Sequence, residues 1–159
     1  MRPVFSRLFI LTLLITPSFF LPHRGGTVWA SSQHIARSNP PGSTQPSSYT
    51  HLVRAGNMLF MSGQVANNER GELVGKNDMR AQLKQVFENI KNLLASEGAD
   101  FSNVVQVTIY TVSVDEFRKA SDIREEYTGG SPPATTLGQI DRLASPDYLV
   151  ELAVVAVLE

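Results

Sequence analysis

Residues 148 to 158, Tyr-Leu-Val-Glu-Leu-Ala-Val-Val-Ala-Val-Leu, form a β-branched apolar run broken by one carboxylate. A run this short, rich in Val and free of Gly and Pro, reads as a strand covered on both faces, and the rest of the chain must supply those covers. Alternation sends Val150, Leu152, Val154, Ala156 and Leu158 to one face and Leu149, Glu151, Ala153, Val155 and Val157 to the other. Glu151 is the anomaly. An unpaired buried carboxylate costs several kcal/mol, on the order of a small domain's whole stability margin. It must meet a donor, a wet cavity or a partner subunit, or else sit at a sheet end and reach solvent. The strand by itself leaves both readings open.

One face of this strand has an obvious cover. Asn77 or Asp78 caps a helix whose apolar positions Met79, Leu83, Val86, Phe87, Ile90, Leu93 and Leu94 recur at three- and four-residue steps, with Gly98 ending it in the left-handed region. A single stripe of this kind lies on something flat. Val104 to Thr111 then alternates as a strand, with Val105, Val107 and Ile109 on one face and Gln106, Thr108 and Tyr110 on the other. Ser113 and Glu116 make a capping box for a second helix with Phe117, Ala120, Ile123 and Tyr127 as its buried stripe, and Gly129 to Pro133 stops it. Ahead of the first helix, His51 to Ala55 and Met58 to Val65 flank Gly56-Asn57 as a hairpin, and Ala134 to Ile140 is a further short strand. The order β-β-α-β-α-β-β predicts an α+β sandwich, a mixed sheet of four to six strands with two helices on one face. The other face would be left bare, which predicts a symmetric assembly with Glu151 near a subunit boundary.

The first 48 residues read differently. Arg2 and Arg7 precede the apolar stretch Leu8 to Leu21, too short for the roughly 20 residues of a spanning helix and broken by Pro17, and Val28-Trp29-Ala30 is a small-residue cleavage site before Ser31. Residues 1–30 are therefore expected to be a secretory signal peptide, leaving an exported protein, periplasmic or extracellular, with no membrane attachment after cleavage. Residues 31–48 are rich in Ser, Pro, Gly and Asn and read as a flexible linker, so the folded domain is expected to be 49–159. Cleavage removes three arginines and no acid, leaving 11 basic against 15 acidic residues, a charge of about −4. That balance disfavours a nucleic-acid partner. The chain has no cysteine, which excludes disulfides, thiolate metal sites and a Cys nucleophile.

Several short stretches, in order, resemble the Rid family of reactive-intermediate deaminases, also called YjgF: Tyr49 before Arg54-Ala55-Gly56-Asn57, Phe60-Met61-Ser62-Gly63-Gln64, Gln82, Phe87-Glu88-Asn89-Ile90, Val104 to Tyr110, Pro133-Ala134 and Val150-Glu151-Leu152. The resemblance implies a chorismate-mutase-like fold, a homotrimer with three clefts between subunits, and hydrolysis of 2-imino acids to 2-oxo acids and ammonia without cofactor or metal. It puts Glu151 at the position that holds the attacking water and Tyr49 in the cleft, with Ser62, Gly63, Gln64, Tyr110, Ala134 and Thr135 as further ligand-binding candidates. In imine-hydrolysing members an arginine follows the Pro-Ala; here Thr135 stands there, neutral and too short to make a fork with a carboxylate. Losing a bidentate contact worth about 1.5 to 3 kcal/mol per bond weakens 2-imino acid binding by on the order of a hundredfold. Arg54, Arg124 and Arg142 could stand in for it or could simply cover surface.

Ser62 has no base nearby in sequence, so it reads as a hydrogen-bonding residue and not as a nucleophile. His34 and His51 are isolated imidazoles that give neither a metal site nor a triad. Tyr110 is open to interface packing or ligand contact. The expected protein is an exported homotrimer that binds a small polar or carbonyl-type molecule between subunits, with weak or altered imine hydrolysis; the alternative is a competent imine deaminase.

Overall fold

A computed structural model describes residues 34 to 159; the expected signal peptide and its cleavage point lie outside the described residues. The strands are β1 (Ile35–Ser38), β2 (Leu52–Ala55), β3 (Met58–Gln64), β4 (Val104–Thr111), β5 (Ala134–Gln139) and β6 (Val150–Val157). The helices are α1 (Met79–Ala95), α2 (Val114–Lys119) and α3 (Ser121–Thr128), with a single 3₁₀ turn at Phe101–Asn103. All six strands form one sheet in the order β1-β2-β3-β6-β4-β5. Only β4 and β5 run parallel, joined through α2 and α3, and every other neighbour is antiparallel. The expected α+β sandwich is the fold observed.

β6 lies inside the sheet between β3 and β4, and its alternation holds residue by residue: Val150, Leu152, Val154 and Ala156 are buried, whereas Glu151, Ala153, Val155 and Val157 are half-buried. The buried set joins Leu59, Met61, Val107 and Ile109 against the α1 stripe of Leu83, Val86, Phe87, Ile90, Leu93 and Leu94. Asp78 caps α1 by accepting from the Ala81 N–H at 3.1 Å. Among the described residues no helix lies over the opposite face. There Phe60 is paired with Val155, Met58 with Val157 and Tyr110 with Glu151, and Phe60 and Tyr110 are each 41% exposed.

Three expectations need correction. Residues 34–48 are not a free linker and the ordered chain does not begin at Tyr49: β1 pairs Ile35 to Ser38 with Ala55 to Leu52, a turn closes with Ser43 N–H on the Pro40 carbonyl at 3.1 Å, and Asn39 Oδ1 accepts the His51 N–H at 2.8 Å. Polar composition concealed this because an edge strand needs its backbone paired but its side chains can stay wet. Val105 does not share the buried face of Val107 and Ile109. A bulge between Val104 and Gln106 carries Val105 to 46% exposure and buries Val104. The second helix is two, broken at Ala120. Its apolar residues Phe117, Ala120 and Ile123 recur every three positions, and a 3.6-residue helix would rotate such a stripe away from the sheet; Ala120 N–H bonds Phe117 O at 3.0 Å and Ile123 N–H bonds Ala120 O at 3.1 Å, tightening the backbone so that all three stay buried.

Candidate functional site

Glu151 is the second residue of β6, and its side chain projects from the uncovered sheet face. Beside it, β3 and β6 slip register between Met61, opposite Val154, and Gln64, opposite Leu152, which places Ser62 and Gly63 in an irregular segment next to the carboxylate. Gly63 leaves the room that the Glu151 side chain takes: a methyl on its Cα would lie 2.8 Å from Glu151 Cγ and closer still to the carboxylate carbon, so any larger residue there displaces the carboxylate. On the other side Tyr110 is Glu151's cross-strand partner, and its ring lies over Gly138, where a Cβ would meet Tyr110 Cδ1 at 3.9 Å. Gly63, Glu151, Tyr110 and Gly138 thus make a row across four strands, with bare backbone at its two ends. Among the described residues no hydrogen bond or ion pair reaches the Glu151 carboxylate, and burial raises it above the ordinary glutamate range.

A second group collects on the other side of Gly63. A small cavity of about 30 Å³ is walled by the Pro40–Thr44 turn, Tyr49, His51, Gly63, Gln64 and the asparagines of α1 and the β3–α1 loop. Gln64 is buried, and its amide nitrogen donates to His51 Nδ1 at 3.2 Å and to the Ser62 carbonyl at 2.9 Å. Tyr49 stacks edge-on against the His51 ring with centroids 5.3 Å apart. Asn89 closes the wall from α1, donating to the carbonyls of Val65 at 3.0 Å and Asn67 at 2.9 Å.

The sequence candidates therefore divide. Glu151, Gly63 and Tyr110 stand together on the open face, Tyr49 and Gln64 with Gly63 line the cavity, and Ser62 lies between, its N–H on the His51 carbonyl at 3.0 Å. Ala134 is in register with Gln106 on the open face. Thr135 is not brought to Glu151 within one protomer. It is in register with the buried Val107 and so turns to the helix side, its hydroxyl donating to the Pro133 carbonyl at 3.0 Å. Arg54 is not a substitute cation either, because it bonds Glu97 at 3.1 Å and the Gly56 carbonyl at 3.0 Å. It sits opposite Leu59, which pairs with Ala156, five residues and about 17 Å along β6 from Glu151. Arg124 is on α3, across the sheet, and Arg142 is exposed in the β5–β6 loop.

His51 is the residue the sequence reading undervalued. The signal was present in the hairpin: with Gly56-Asn57 as its turn, register sets His51 opposite Ser62, one residue from Gly63.

Fold and site together define a small α+β sandwich that keeps an unpaired carboxylate on the face its helices leave open. The family model described as Endoribonuclease L-PSP matches residues 42–158. The chain belongs to this family, the Rid or YjgF family. It is 38% identical over 112 residues to a RutC family protein of Pyrococcus abyssi, covering 70% of this chain and 87% of the relative. It is 28% identical over 111 residues to a 2-iminobutanoate/2-iminopropanoate deaminase of Dermatophagoides farinae, covering 70% and 86%. Among solved structures, the Rid family protein YyfA of Yersinia pestis matches with a TM-score of 0.74 at 26% identity, covering 79% of this chain and all of that one.

Proposed function

We propose that the protein is an exported homotrimer that binds a small carbonyl-type or imine molecule in clefts between subunits, and that Glu151 holds a water there with slow imine hydrolysis as the result. The observation that carries this reading is the unpaired, half-buried Glu151 carboxylate lying on Gly63 beside Tyr110. A carboxylate whose proton affinity is raised toward neutrality is suited to take a proton from water as that water attacks an imine carbon, and to return it to the departing nitrogen. Tyr110 supplies a neighbouring hydroxyl donor. The uncovered row of Met58, Phe60, Val155 and Val157 supports a second copy as the cover, and Ala134, on the open face of edge strand β5, would reach a Glu151 cleft from a neighbouring subunit with Thr135 next to it at the same sheet edge. The mature charge of about −4 argues against ribonuclease activity.

Thr135 separates this reading from that of an efficient 2-imino acid deaminase, the activity in the name of the Dermatophagoides relative. Without a guanidinium the substrate carboxylate is neither concentrated nor oriented. The assay is decay of 2-iminopropanoate, generated by an amino acid oxidase and trapped with semicarbazide. Wild type should be slow, Glu151→Gln should abolish what activity there is, and Thr135→Arg should raise it by about tenfold or more. Turnover in wild type equal to that of the Dermatophagoides enzyme would replace this reading with that of a competent deaminase.

A further inference from the structure

His51 has a task that a merely buried histidine would not have. All four of its polar groups are engaged: the backbone N–H with Asn39 Oδ1 at 2.8 Å, the carbonyl with the Ser62 N–H at 3.0 Å, Nε2 with Thr44 Oγ1 at 2.8 Å and Nδ1 with the Gln64 amide nitrogen at 3.2 Å. An amide nitrogen only donates, so Nδ1 is the bare acceptor, and Nε2 carries the proton and donates to Thr44. The other hydrogen of the same Gln64 amide goes to the Ser62 carbonyl at 2.9 Å. If that amide turned over, its oxygen would face both the Nδ1 lone pair and the Ser62 carbonyl, acceptor against acceptor. The ring and the Ser62 carbonyl together decide which end of Gln64 faces the irregular segment of β3. Both backbone groups of Ser62 are then fixed, the N–H by His51 itself and the carbonyl by Gln64. The next residue, Gly63, is the surface on which the Glu151 carboxylate rests.

From this geometry we infer that His51 is a positioning residue for Glu151, acting through Gln64 and the Ser62–Gly63 segment; the inference rests on the reading of Glu151 as the carboxylate that holds water. Protonating Nδ1 would set an N–H against the Gln64 N–H, force the amide over and leave the Ser62 carbonyl without its donor. Among the described residues, the cavity wall around His51, drawn from the Pro40–Thr44 turn, β3, the β3–α1 loop and α1, carries no Asp, Glu, Lys or Arg; Tyr49 is the other titratable side chain on it, and Glu151 lies behind Gly63. Burial holds the imidazole below its ordinary value, in keeping with a neutral ring at pH 7.

The test is an NMR titration of purified isotope-labelled protein, following the His51 ring, the Gly63 amide and the Glu151 carboxyl carbon, the last identified by its loss in Glu151→Gln. In wild type the Gly63 and Glu151 signals should each show an extra inflection at the midpoint of the His51 titration. His51→Asn keeps an acceptor at the δ position and should leave the Glu151 midpoint nearly unmoved. His51→Gln sets its amide one carbon further out and should shift that midpoint by about half a pH unit or more. It should also lower kcat for 2-iminopropanoate about tenfold with KM little changed. Signals of Gly63 and Glu151 that ignore the His51 titration, or equal behaviour of the two variants, would overturn the inference. If Glu151→Gln leaves turnover intact, the catalytic reading falls, and the titration alone decides whether His51 sets the carboxylate's place.

Discussion

At the scale of single residues, the Glu151 carboxylate is a cost to the fold that the site retains. Burial raises its folded-state proton affinity above that of the unfolded chain, so the native state holds the proton more tightly. Stability must then fall as pH rises from the ordinary value of 4.5 through the raised one, and stay lower above it. Glu151→Gln, nearly the same in shape and without charge, is expected to raise Tm at pH 7.5 and to leave it close to wild type below pH 4.5. Thermal melts at the two pH values check this, and a variant less stable than wild type at pH 7.5 would show that the ionised carboxylate is stabilised by a partner. Gly63 belongs to the same balance: its missing Cβ is the space that the carboxylate occupies.

At the scale of elements, what puts Glu151 in place is the join between α1 and the start of β6. Gln82 is fully buried in α1, yet every polar group of its side chain is used: the amide nitrogen donates to the carbonyls of Gly75 at 3.1 Å and Asp147 at 2.8 Å, and its oxygen accepts the Leu149 N–H at 2.8 Å. Glu151 begins two residues later. Gln82→Leu fills the volume and leaves two backbone groups without partners, the Asp147 carbonyl and the Leu149 N–H, because the Gly75 carbonyl keeps the Asp78 N–H at 3.0 Å; at about 1 kcal/mol or more for each buried group, a loss of about 2 kcal/mol is expected. Urea unfolding should show a lower midpoint with an unchanged slope. A loss under 1 kcal/mol would mean that water takes over these bonds and that the join is looser than its geometry.

At the scale of the whole molecule, the exposed residues Met58, Phe60 and Tyr110 lie beside a half-covered strand, a patch expected to be buried by further copies of the chain. On the proposed export and trimer, the protein recovered from a secreting host should sediment at equilibrium as about three times the mass of residues 31–159, and should lack tryptophan emission because Trp29 is the one tryptophan and lies before the proposed cleavage point. Phe60→Asp should give monomer that keeps its secondary structure. A wild-type monomer at micromolar concentration would remove the intersubunit cleft, and retained Trp29 would remove the export reading.

The sequence by itself determined the layers. Periods of 3.6 and 2 marked α1, β4 and β6, and alternation along β6 told its two faces apart, because those periods follow from backbone geometry that any tertiary context must respect. It also marked Glu151 as out of place and Thr135 as a departure from the family pattern. Only the tertiary structure decided the rest. β1 is held by backbone pairing with β2 across a polar turn, the Val104–Gln106 bulge reverses Val105 against its own alternation, and a three-residue apolar spacing splits the second helix. Whether His51 is inert or anchors a carboxylate depends on Thr44, Gln64 and Ser62 meeting around one ring. Such meetings are long-range hydrogen bonds and close packing, and those carry no local period for a sequence to display.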